Sequence, residues 1–105
     1  MRIEVVHPGC HVALHGRLSS SSVGEVRAAL AAVIEAGVDD IMVDMAGVEL
    51  MDATGLGVLV GSHRRAERVG RRLVLHNVPH RIDRLLFATR LHRVLCVDPA
   101  DIAAG

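Results

Sequence analysis

Short apolar runs of strand type alternate along this chain with longer segments of helical period, and that alternation leaves few folds open. Residues 3–6, Ile-Glu-Val-Val, read as a short strand, and His7-Pro8-Gly9 as a turn. Residues 10–16 place Val12 and Leu14 on one side and His11, Ala13 and His15 on the other, a half-buried strand that makes a hairpin with the first. Ser22-Val23-Gly24-Glu25 fits a capping box, in which the Ser oxygen and the Glu carboxylate would satisfy free amides. Val26, Leu30, Val33 and Ile34, with Ala29 alongside, then follow at helical spacing. Gly37 is expected to stop that helix in a left-handed conformation.

Residues 40–46 hold Ile41-Met42-Val43, a run read as a central strand covered on both faces. Residues 47–52 read as a linking turn, and residues 55–69 as a second helix with Leu56, Leu59, Val60, His63 and Ala66 on one side. Gly70 closes it. Leu73-Val74-Leu75 is a further strand, and Pro79 opens a third helix whose buried side is expected to be Ile82, Leu85, Leu86 and Phe87. Val94-Leu95-Cys96-Val97 is a last strand, after which the chain trails off through Asp98-Pro99. The order is β-β-α-β-α-β-α-β. A helix between successive strands implies right-handed parallel crossovers. The expectation is an α/β sandwich, a mixed sheet with an N-terminal hairpin and helices packed on one or both faces.

Composition agrees with a sheet of this kind. Half of the 105 residues are hydrophobic, yet Phe87 is the only aromatic side chain, so packing must rest on Val, Leu, Ile, Ala and Met. The length suits one domain over residues 1–105. Twelve acids balance twelve bases, all of them Arg. A neutral chain has no long-range pull toward nucleic acid or anionic lipid. No apolar stretch reaches the roughly 18 residues of a membrane span, and Arg2 and Glu4 interrupt any N-terminal apolar run. Cys10 and Cys96 read as free thiols of a cytoplasmic protein.

Several groupings of reactive side chains lead nowhere. His11 and His15 would lie about 13 Å apart on a strand and could not share an ion, so no metal is expected. Gly55-Leu56-Gly57 lacks the third glycine and the acidic partner of a dinucleotide loop, and no cofactor is expected. Ser62 and His63 are neighbours on a helix and point apart, so no catalytic set emerges. Arg64, Arg65, Arg68, Arg71 and Arg72 sit at the end of the second helix, where positive charge complements the helix dipole; a basic patch for acidic partner residues is the alternative. His63 is expected to be a satisfied core histidine.

The segment Met51-Asp52-Ala53-Thr54-Gly55-Leu56-Gly57-Val58-Leu59 is the most distinctive. Asp52 and Thr54 stand just before a helix, both favour the capping role, and either could cap it. This segment resembles the phosphorylation loop of the STAS family, the anti-sigma factor antagonists. Ile41 to Val48 resembles the family's central strand and turn, Arg71 to Leu75 the strand after its helix, and Leu86-Phe87-Ala88-Thr89 with Leu91 its last helix. The resemblance covers nearly the whole chain. It implies a non-enzymatic switch whose partner is an anti-sigma factor serine/threonine kinase. That kinase would modify Thr54, and a phosphatase acting on phospho-Thr54 would reset the switch. The interface it implies holds Asp52, Ala53, Thr54, Gly55, Leu56 and Gly57 with Arg17, Ser19, Ser20 and Ser21. Ala53 stands where the family commonly has Ser, Arg17-Leu18-Ser19 where it often has Glu-Leu-Asp, and Arg90 where it has Gly. The alternative the resemblance leaves open is an unphosphorylated STAS subunit of a transporter or signalling complex.

Overall fold

The computed structural model describes residues 1–98. The trailing end expected from Asp98-Pro99 onward lies outside the described residues beyond Asp98. The elements are β1 (Arg2–His7), β2 (His11–Leu18), α1 (Val23–Glu35), β3 (Ile41–Met51), α2 (Ala53–Arg68), β4 (Leu73–His76), α3 (His80–Ala88), a single 3-10 turn (Leu91–Arg93) and β5 (Cys96–Val97). The strands lie in the order β1-β2-β3-β4-β5. β1 runs antiparallel to β2, and every other neighbouring pair is parallel. This is the mixed sheet and element order read from the alternation of periods.

The sheet buries one face. Ile41 stands opposite Leu73, and Val43 opposite both Val12 and Leu75, and all five are buried. They share one core with Val26, Leu30 and Val33 of α1, Leu56 and Leu59 of α2, and Ile82 and Leu86 of α3. Residues between them face the other way: Met42 is 36 % exposed, while Val74 and His76 are half-buried. β3 is therefore central, as its apolar run predicts, but covered on one face only.

β3 is also longer than its sequence suggests. Asp44 pairs with Ala13 and Gly47 with His15, so three steps on β3 oppose two on β2. A second irregularity follows between Gly16 and Arg17. Such bulges bend a strand and break its alternation, which is why residues 47–51 read as a turn. They are strand.

Other local expectations change for equally physical reasons. Ser22 is buried, and its hydroxyl donates to the Arg17 carbonyl (2.7 Å) and accepts from the Ser19 amide (3.1 Å), so it pins the preceding loop and forms no capping box. Gly37 does not take a positive φ; a Cβ there would sit 2.6 Å from the Gly9 carbonyl oxygen, so close approach excludes a side chain. Phe87 is 58 % exposed and stacks on the His92 ring at 4.0 Å instead of entering the core. β5 begins at Cys96, because the 3-10 turn takes the chain to Arg93. His63 is buried as expected, but among the described residues only its Nε2 has a partner, Glu67 at 3.4 Å, and Nδ1 has none.

Gly70 does adopt the left-handed conformation that ends a helix, with φ +74°. Arg90 does so too, with φ 62°. A side chain pays roughly 1–2 kcal/mol for that region. Arg90→Gly is expected to raise stability by about 1 kcal/mol, because the relief outweighs the added freedom of the unfolded chain. Urea denaturation of the two proteins measures it.

Candidate functional site

The site is built where β2 and β3 end side by side. Leu18 pairs with Met51, and the Asp52 amide donates to the Leu18 carbonyl at 3.3 Å. The chain then turns directly into α2. Gly55 makes the turn possible, since a Cβ there would collide with the Leu18 carbonyl oxygen. Two segments distant in sequence are thus locked together: Arg17 to Ser22, and Asp52 to Gly57.

Asp52 is the cap of α2. Its backbone is extended, with φ −101° and ψ −176°, and its Oδ1 accepts from the Gly55 amide at 2.9 Å. The competition between Asp52 and Thr54 for this role is settled by geometry. An N-cap residue must reach the amide three residues on from outside the helix, and only Asp52 stands there. Asp52→Ala is expected to lower stability by about 1 kcal/mol without displacing Thr54, measured by thermal denaturation.

Thr54 is the second residue of α2, and it is exposed. Its hydroxyl bonds to no described residue, and the amides of Ala53 and Thr54 likewise find no acceptor among them. Those free amides and the positive end of the helix dipole belong to the same first turn of α2 as this hydroxyl. A phosphate attached there would meet favourable local charge.

The expected interface residues divide by exposure. Ala53, Thr54, Gly57, Arg17, Ser20 and Ser21 are exposed, and Ser19 and Asp52 are half-buried. Gly55 and Leu56 are buried, Leu56 at 6 %, so they support the loop from beneath and present nothing outward. Ser19 and Ser21 share a hydrogen bond of 3.0 Å between their hydroxyls. His11 and His15 both lie on β2, where His15 Nε2 approaches Glu4 Oε1 at 3.5 Å. Among the described residues no helix is long and apolar enough to cross a membrane.

One residue far from the site escaped the reading of the sequence. Arg71 lies past α2 and is 3 % exposed. Its guanidinium donates to the carbonyls of Val33 (2.7 Å) and Ile34 (2.9 Å) at the end of α1, and to those of Gly9 (2.5 Å) and Asp39 (2.7 Å). In the sequence it sits inside a run of surface arginines, and nothing local marks it as buried. Arg72, its neighbour, is exposed and pairs with Asp40 at 2.8 Å. The expected basic cluster is therefore split: Arg64, Arg65 and Arg68 belong to α2, and Arg71 and Arg72 do not.

Comparison with known proteins agrees with this architecture. Residues 3–97 match the family model described as Mlab, STAS domain. The anti-sigma-B factor antagonist of Staphylococcus epidermidis is 32 % identical over 87 residues, which span 83 % of this chain and 81 % of that protein. The anti-sigma factor antagonist SpoIIAA in its unphosphorylated form superposes with a TM-score of 0.73 at 23 % identity, over 98 % of this chain and 91 % of that one. A sulfate transporter family protein from Wolinella succinogenes shares the fold as well, with a TM-score of 0.74 at 21 % identity over 96 % and 87 % of the two chains. By fold, by family model and by its antagonist relatives, the chain belongs to the STAS-domain family.

Proposed function

We propose that this chain is a single-domain, cytoplasmic anti-sigma factor antagonist that binds an anti-sigma serine/threonine kinase and is released when that kinase phosphorylates Thr54. The observation that carries the reading is the state of Thr54: exposed, free of hydrogen bonds to described residues, and relieved of capping duty by Asp52. The antagonist names of its relatives support the same role. The chain itself catalyses nothing in this scheme. The kinase supplies ATP and the base that takes the Thr54 hydroxyl proton; the Thr54 oxygen bonds to the γ-phosphorus, and ADP leaves. A phosphatase hydrolyses phospho-Thr54 and returns the binding form.

Phosphorylation adds about −1.5 to −2 charges at neutral pH. The Asp52 carboxylate is two residues away and already committed to the Gly55 amide. In the free protein the phosphate rests at the helix end in water. Under a closely packed partner, the same charge must lose its water, and binding falls. No rearrangement of the fold is needed. A pull-down from host cytosol, with wild type and Thr54→Asp as parallel baits, tests this. A kinase held by wild type and lost with Thr54→Asp supports the reading. The same transporter or signalling subunits on both baits would overturn it in favour of a scaffold role.

A further inference from the structure

A groove of about 360 Å³ runs between α1 and α2, and the fold gives no internal reason for its composition. Its floor carries Gly57 and Gly61, four residues apart on the exposed side of α2. Glycine weakens a helix interior relative to alanine. Here nothing lies within 4 Å of a Cβ built at either position, so neither packing nor backbone geometry asks for glycine. Ser62 also lines the groove; it is 7 % exposed, and its hydroxyl bonds to no described residue. Its oxygen is open to solvent, where an incoming polar group can reach it.

The walls are cationic. Arg27 from α1 and Arg65 and Arg68 from α2 line the groove, no acidic side chain does, and none of the three forms an ion pair among the described residues. The helix dipole accounts for Arg65 and Arg68 in the last turn of α2, but Arg27 lies early in α1, where the dipole opposes a cation. On a chain of zero formal charge, this is a local surplus matched to an anionic partner surface.

We infer that the groove docks an acidic α-helix of a protein partner. Small residues four apart let a third helix approach closely along the groove, as in helix-in-groove recognition. Carboxylates on that helix would meet the three guanidinium groups, and one of its polar groups would meet Ser62. Gly57 is one turn beyond Thr54 on the same helix, so a single partner can cover both. The inference goes beyond the Thr54 reading: the groove is complete whether or not Thr54 carries phosphate.

The probe is a synthetic alanine-based helical peptide with Glu at every fourth position, titrated into the ¹⁵N-labelled chain, with a Gln counterpart as control. The Glu peptide is expected to shift the amides of Gly57, Gly61 and Ser62. Its affinity is expected to fall roughly tenfold in Arg65→Ala/Arg68→Ala, and the Gln peptide to bind as weakly to wild type. Gly57→Leu/Gly61→Leu is expected to abolish the shifts with no fall in Tm, which separates a blocked groove from a damaged fold. Thr54→Asp is expected to leave peptide binding within about twofold, so a failure here and a failure of the Thr54 reading are distinguishable. Equal shifts from both peptides, no shifts at millimolar peptide, or shifts centred elsewhere would overturn the inference.

Discussion

Thr54→Asp is expected to weaken binding to the partner kinase by about 100- to 1000-fold while changing the chain's own stability by less than about 0.5 kcal/mol. The second half follows from the position. Thr54 is exposed, makes no hydrogen bond to a described residue, and sits in the first turn of α2, where a carboxylate is welcomed by the helix dipole. The first half follows from the interface. A charge that must be stripped of water against a packed surface costs about 3–4 kcal/mol, and each 1.4 kcal/mol is tenfold in affinity. Thr54→Val separates charge from hydroxyl: it should bind the kinase within about tenfold of wild type and accept no phosphate. Isothermal titration against the kinase and urea denaturation of each variant together decide the matter. Equal affinities for wild type and Thr54→Asp would show that Thr54 lies outside the interface.

The largest effect on stability is expected at Arg71, a residue far from the interface. Arg71→Ala should lower stability by about 3–4 kcal/mol. Four carbonyl oxygens converge on one buried guanidinium: two at the end of α1, one in the β1–β2 turn, and one in the loop before β3. Helix-end carbonyls lack the usual partner one turn on; Val33 also accepts from the Ala36 amide at 3.2 Å, while for the Ile34 carbonyl Arg71 is the partner. Deleting it leaves buried acceptors unpaired at about 1–3 kcal/mol each, partly offset where water enters the space. A domain of this size would then lose roughly 12–30 °C in Tm. Arg71→Lys keeps the charge but replaces a planar fork with a point donor that cannot span four acceptors, so it should recover less than half of the loss. A drop below about 1 kcal/mol for Arg71→Ala would mean that water replaces the guanidinium at little cost.

The order of elements was legible because each element carries its own period. Val26, Leu30, Val33 and Ile34 could only share a helix face, and Ile41 to Val43 only a strand. The opening of α2 was legible because Asp, Thr and two glycines stand in a helix-opening pattern. Features that depend on contacts between distant segments were not. Gly47 looks like a turn residue until the β2 register shows that it sits in a bulged strand. Ser22 fits a capping box by spacing, but the Arg17 carbonyl competes for its hydroxyl and wins. Phe87 satisfies the helical period of α3, yet the short 3-10 turn offers it His92 outside the core. Arg71 is the sharpest case, since arginine in a basic run is usually solvated and its burial is set by partners 32 to 62 residues away. Within the site, the sequence left Asp52 and Thr54 as rival caps. The extended backbone at Asp52 decides between them and leaves the Thr54 hydroxyl free.

The proposed switch turns on one oxygen atom, the Thr54 hydroxyl, and the most direct measurement looks at that atom. The purified chain is incubated with the kinase recovered from host cytosol and with ATP, and the site of phosphate is read by tandem mass spectrometry, with Thr54→Val alongside. A single phosphate on Thr54, absent from Thr54→Val and accompanied by dissociation of the complex, is the expected result. Phosphate on another residue, or a stable complex that never transfers phosphate, would contradict it.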